Sequence, residues 1–195
     1  MNVLVVHAHP NPESLNRALR DAAAAALEAA SHAVRVTDLY AEGFDPVMDR
    51  AERAGYHTPG DNERPVACHL ANLRWCEAVV FVYPTWWFGL PAILKGWLDR
   101  VLVPHGTFTL PTETKPIRPL LANIRWVIIV TTCGAPWWFS KFVGEPGRKT
   151  LLRAFRLICH RRCRTRYIAL HRIDTRSERE RQAFLERVRR AMAIS

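Results

Sequence analysis

Ala78-Val79-Val80-Phe81-Val82-Tyr83-Pro84-Thr85-Trp86-Trp87-Phe88-Gly89-Leu90-Pro91 decides the reading of this chain. Five apolar residues lead into a tyrosine and a proline, which is the pattern of a strand buried on both faces. Pro91 suits the first turn of a following helix, where a missing N–H costs nothing. Residues 83–90 therefore form a loop at the carboxyl end of a central parallel strand. In open α/β sheets that is where ligands bind. Trp86, Trp87 and Phe88 stand at this mouth. They offer flat apolar faces to a flat aromatic ligand, or they plug the domain.

Outward from this stretch, strands and helices alternate. Residues 2–8 read as the first strand and Ser14 as an N-cap. A first helix covers 15–30, and 33–39 alternates as a second strand. Residues 40–65, rich in Gly and Pro, read as a long excursion with little regular structure. Helices are predicted over 66–76 and 92–103, and a fourth strand over 124–131. The loop that follows runs to Phe139, and a helix spans 148 to about 159. A fifth strand covers 165–170. The last helix covers 177–192, with Ser177 and Glu180 matching a capping box. Strict alternation predicts one α/β domain over 1–195, with a five-stranded parallel sheet in the order 2-1-3-4-5 and helices on both faces. Strands one, three and four then lie side by side, and their carboxyl-end loops converge.

Composition narrows the partners. The chain has 195 residues, 49% of them hydrophobic, enough for one cored domain. No apolar run reaches the ~18 residues of a membrane span. Met1 leads directly into the first strand, so no secretory signal is expected. Five cysteines, irregularly spaced and without CxxC, fit reduced thiols and a cytoplasmic location. No metal site is expected, because Cys159 and Cys163 have no second ligand pair at zinc spacing. The net charge of +10 is lopsided: residues 148–195 hold 15 of the 28 Lys and Arg but 4 of the 18 Asp and Glu. A basic half suits nucleic acid, an anionic surface or a phosphorylated ligand, and it also suits plain solvation. Aromatics are not interleaved with these arginines, which argues against single-stranded nucleic acid.

The first loop offers His9, Ser14, Asn16 and a helix start, which together suit a phosphate. The other two loops offer aromatics with Thr131, Thr132 and Gly134. Phosphate at one end and a flat wall at the other describe a flavin. No GxGxxG follows the first strand, so no standing dinucleotide site is expected. A nicotinamide cofactor would share one pocket with the acceptor, in a ping-pong cycle.

These motifs carry a resemblance. They are His7-Ala8-His9-Pro10 with Ser14-Leu15-Asn16, Asp38-Leu39-Tyr40 with Phe44-Asp45-Pro46, and the block from Pro84 to Trp97. Thr131-Thr132-Cys133-Gly134 completes the set. Up to about Gly147 the chain resembles the flavodoxin-like NAD(P)H:quinone oxidoreductase family (DT-diaphorase and bacterial relatives). That family includes flavin-binding ancillary subunits of bacterial potassium-efflux systems. The resemblance implies FAD or FMN, NAD(P)H as hydride donor, a small-molecule electron acceptor and a homodimer. It places the phosphate on His9, Ser14, Leu15 and Asn16. Pro84, Thr85, Trp86, Trp87 and Phe88 would line the ring, and Thr131, Thr132 and Gly134 would meet its polar edge. Phe108, Trp137 and Trp138 are the candidate acceptor contacts. The chain departs from the family at Phe108 and Leu110, where tyrosines are usual, and at Glu145-Pro146, where a histidine is usual. A redox-sensing regulatory subunit, docked on a membrane partner through the Arg-rich part, is the alternative expectation.

Overall fold

The computed structural model describes residues 1–194. Five strands form one all-parallel sheet in the order β2-β1-β3-β4-β5. They are β1 (Asn2–His7), β2 (Ala33–Asp38), β3 (Ala78–Pro84), β4 (Trp126–Cys133) and β5 (Arg164–His171). β3 and β4 are buried along their full lengths. Such strands can run as unbroken hydrophobic stretches because helices cover both faces.

The period-two alternation of the strands splits the core into two layers. Leu4, Val6, Val79, Phe81, Val127 and Ile129 face α3 (Ala67–Trp75) and α4 (Ala92–Val101). Val3, Val5, Val80, Val82, Ile128 and Val130 face α1 (Leu15–Ala29) and α7 (Glu178–Ala191). Ser14 caps α1 by accepting from the Arg17 N–H at 3.2 Å. Ser177 and Glu180 close the expected capping box at α7.

Several boundaries differ from the sequence reading. β3 runs through Pro84, and β4 ends at Cys133 instead of Thr131, so Thr132 also belongs to the strand. Ile124 lies ahead of β4, in a turn closed by its N–H on the Leu121 carbonyl. The 40–65 excursion contains α2 (Arg50–Gly55), capped by Asp49. It lies against α4, where Arg100 pairs with Glu52 at 2.9 Å and Pro46 sits hard on Gly96. A helix, α5 (Trp137–Val143), replaces the expected loop. The helix predicted over 148–159 is instead a short α6 (Pro146–Lys149), a π turn over Thr150–Ala154 and a 3₁₀ turn over Phe155–Ile158. Thr150 Oγ1 donates back to the Pro146 carbonyl at 3.0 Å, competing for an acceptor of the helix ladder. No helix of the described residues is long and apolar enough to cross a membrane.

Candidate functional site at the carboxyl end of the sheet

β1, β3 and β4 end side by side, with Tyr83 opposite Thr131 and Pro84 opposite Thr132. The loops after them form the site. Two backbone bonds hold them in register: Ala8 N–H to the Val82 carbonyl at 3.1 Å and Thr85 N–H to the Thr132 carbonyl at 2.7 Å.

Asn16 is buried in the first turn of α1 and donates from Nδ2 to Thr132 Oγ1 at 2.9 Å. Its Oδ1 is also buried, with no protein partner. An unmatched acceptor costs about 1–3 kcal/mol unless a bound group supplies the donor. Thr131 is fully buried, its hydroxyl 2.9 Å from that of Thr85. The hydroxyls of the two threonines thus meet Asn16 and Thr85, and Thr132 lies in the strand, one residue beyond its expected end. His9 accepts the Asn11 N–H on Nδ1 at 3.1 Å, and its ring lies 6.2 Å from that of Trp86.

Trp86 to Gly89 forms a tight turn closed by a 2.9 Å bond from the Gly89 N–H to the Trp86 carbonyl. Its two central residues, Trp87 and Phe88, have φ of 48° and 62°. Both positions favour Asn or Gly, and each bulky residue there costs about 1–2 kcal/mol. Strain of this kind collects at functional sites. The turn leaves Trp87 95% exposed. Phe88 meets Phe139 of α5 edge-on at 5.5 Å, and Phe139 contacts Trp138 and stacks on Phe142. An aromatic wall therefore spans two loops. Leu15 and Ser14 are half-buried at the α1 start, and Gly134 is exposed beside Asp174.

Two expected acceptor contacts lie elsewhere in this chain. Phe108 is pinned by bridges to Pro104 and Pro119 and lines a groove with Tyr56, Leu98, Leu102 and Phe155. Trp137 lines another groove, with Leu170, His171, Ala183 and Phe184. Trp138 alone of the three joins the wall.

Beneath Phe88 lies a polar cleft that the sequence reading missed, lined among others by Tyr83, Ser140, Glu145, Arg148, Tyr167 and His171. Glu145 sits at φ 49° and pairs with Arg148 at 2.7 Å and Lys141 at 3.0 Å. Burial pulls its carboxyl upward, but hydrogen bonds and charge from Lys141 and Arg148 prevail and hold it below the ordinary carboxylate value. Arg148 lies over the Tyr167 ring at 4.7 Å, and burial pushes that phenol up to about 12. Burial also lowers His171. The opposite charges at Glu145 and Arg148, three residues apart, were the available signal.

These elements match known proteins. The flavodoxin-like fold family model matches residues 1–193. The NAD(P)H dehydrogenase [quinone] 1 of Rattus norvegicus is 33% identical over 155 residues, 70% of this chain and 55% of that protein. The chain spans about half the length of the curated relatives it matches. Smu.1420 of Streptococcus mutans superposes with a TM-score of 0.82 at 28% identity, covering 98% of each chain. An FMN-dependent NADH-azoreductase of Bacillus anthracis, in complex with FMN, superposes at 0.78 with 17% identity, over 99% of this chain and 98% of that one, a likeness of fold. On its sheet order and on the match across nearly its whole length, this chain belongs to the flavodoxin-like fold family.

Proposed function

We infer that the chain is a flavin-dependent NAD(P)H oxidoreductase that reduces quinones or similar flat electrophiles. The observation that carries this reading is the strained Trp87–Phe88 turn, set beside the start of α1 and continued by Phe139. The quinone dehydrogenase relatives and the FMN-bound structural neighbour support it.

The residues present fit a flavin. Ser14, Leu15, Asn16 and His9 surround a helix start whose N–H groups suit a phosphate. The unmatched Asn16 Oδ1 suits a ligand donor on the same side. Pro84, Thr85, Trp86, Trp87 and Phe88 wall the ring, and Gly134 leaves its edge open. A bound flavin supplies the hydride-accepting ring. The chain supplies position: Thr131 and Thr132 fix Thr85 and Asn16, and the aromatic wall excludes water from one face. Glu145 stays ionised and Tyr167 keeps its proton near neutrality, so neither donates a proton readily. Lys141 and Arg148 place positive charge beside the cleft, where negative charge on the reduced ring would be stabilised. With no separate dinucleotide site, NAD(P)H and the acceptor use one mouth in turn. FAD and FMN present the same ring and first phosphate to these residues.

A second reading rests on Glu145-Pro146, which stands where the resemblance implies a histidine and whose carboxylate stays ionised. In that reading the chain is a flavin-binding regulatory subunit with weak turnover. A homodimer is part of either proposal: Trp87, Trp138 and Phe142 expose a broad apolar face that a second copy would cover.

Anaerobic titration of the protein, reconstituted with FMN or FAD, tests the proposal. Stoichiometric bleaching of the flavin band by NADPH or NADH, reversed by a quinone, is the expected result. Flavin binding without bleaching favours the regulatory reading. No binding of either flavin overturns both.

A further inference from the structure

The opposite end of the sheet carries a second constellation. Arg125 and Trp126 open β4, Arg164 opens β5, and the turn His160-Arg161-Arg162 lies beside them. Together they line a cleft of about 410 Å³. Among the described residues no carboxylate lines it, and none is an acidic partner of Arg125, Arg161, Arg162 or Arg164. From Arg148 to Arg166 the chain places eight basic residues and no acidic one. Gathering like charges destabilises a compact state unless a counter-ion is held there.

The turn is built in place. Its ends are the buried Cys159 and Cys163. The His160 N–H donates to the Ile124 carbonyl at 3.0 Å and the Arg164 N–H to the Arg125 carbonyl at 2.9 Å, so both sides of Arg125 are tied. The Arg162 N–H donates to His160 Nδ1 at 3.1 Å, which leaves Nε2 as that ring's N–H donor. Guanidinium forks match phosphate oxygens in bidentate pairs. Four forks and an imidazole exceed what one phosphate can occupy. Trp126 is 9% exposed, with Arg164 and Arg166 over its ring at 5.4 and 5.2 Å, so it offers no free face to a base. A larger basic groove, near 580 Å³, lies by Lys141, Arg148, Arg153 and Arg156, but Glu145 sits inside it and pairs with two of its cations.

We propose that the amino-end cleft binds a polyphosphate, a ligand carrying two or more linked phosphates. β4 separates it from the aromatic mouth by about 23 Å at the usual strand rise, too far for the phosphate of a flavin held there to reach. The site stands apart from the oxidoreductase reading and does not depend on it.

Calorimetric titration of the full chain with inorganic tripolyphosphate and with orthophosphate, at fixed salt, tests this. One tripolyphosphate per chain, bound at least tenfold tighter than orthophosphate, is expected. The exposed pair R161Q/R162Q and, separately, R125Q should each weaken it tenfold or more, with far-ultraviolet circular dichroism unchanged. R153Q, in the other groove, should stay within twofold. Equal loss in R153Q would assign the effect to general charge and overturn the site, as would no saturable binding. Binding of duplex DNA or anionic vesicles that tripolyphosphate fails to displace would also overturn it.

Discussion

The two ends of β4 differ in what they cost the fold. At the carboxyl end, energy is stored in the backbone. Trp87, Phe88 and Glu145 are bulky residues in the left-handed region, and Asn16 buries an unmatched oxygen. At the amino end the backbone is ordinary and the cost is electrostatic, in arginines without acidic partners among the described residues. Strain fixes a shape, as a flat rigid ligand needs. Unpaired charge holds a field, as a mobile anion needs. One sheet thus presents two kinds of preorganisation at its two poles.

The comparison can be broken at several points. Gly147 lies where an added Cβ would stand 3.1 Å from the Gly89 carbonyl carbon and 3.3 Å from the Leu90 nitrogen. Gly147→Val should wedge α6 from the aromatic turn and cost about 3 kcal/mol, read by urea denaturation. A neutral result would mean that the turn is not braced from this side. Asn16→Leu removes the bond to Thr132 and should cost about 2 kcal/mol while weakening flavin binding. Trp87→Gly, at the almost fully exposed left-handed position, should raise stability by about 1 kcal/mol and lower flavin affinity. If it destabilises, the left-handed turn is not a reservoir of strain.

pH offers another test. Burial lowers His7, His69 and His171 below their ordinary value of 6.5, even though Asp38 partly opposes this at His7. They stay neutral in the fold and take up protons when it opens. Their contribution is therefore complete above 6.5 and is lost as pH falls below it. The thermal midpoint should drop between pH 7.5 and 5.5, and less so in His69→Gln. At the amino end, R161Q/R162Q should shift stability by no more than about 0.5 kcal/mol, since both side chains are exposed.

How much of this was legible depends on the range of the forces involved. β3 and β4 were readable because fully buried strands need unbroken apolar runs. The sheet order followed from alternation. The three site loops followed from the order. The carboxyl end of β4 was read two residues short, at Thr131, because β5 pairs with β4 as far as Cys133 and no local signal marks that extension. α5 was missed because Gly134-Ala135-Pro136 reads as a loop, while the helix after it gains from packing Phe139 on Phe88. The polar cleft under Phe88 joins residues from Tyr83 to His171 and could not be seen along the chain. The placement of Phe108 over Leu98 and Leu102 depends on bridges within a long connection, which composition does not reveal.

Flavin fluorescence quenching, titrated in parallel on three proteins, tests the central claim that ring binding belongs to the carboxyl end. The proteins are the unaltered chain, W87A/F88A and R161Q/R162Q. The account expects tight quenching in the first, at least tenfold weaker binding in the second and unchanged binding in the third. Full affinity in W87A/F88A, or its loss in R161Q/R162Q alone, would contradict it.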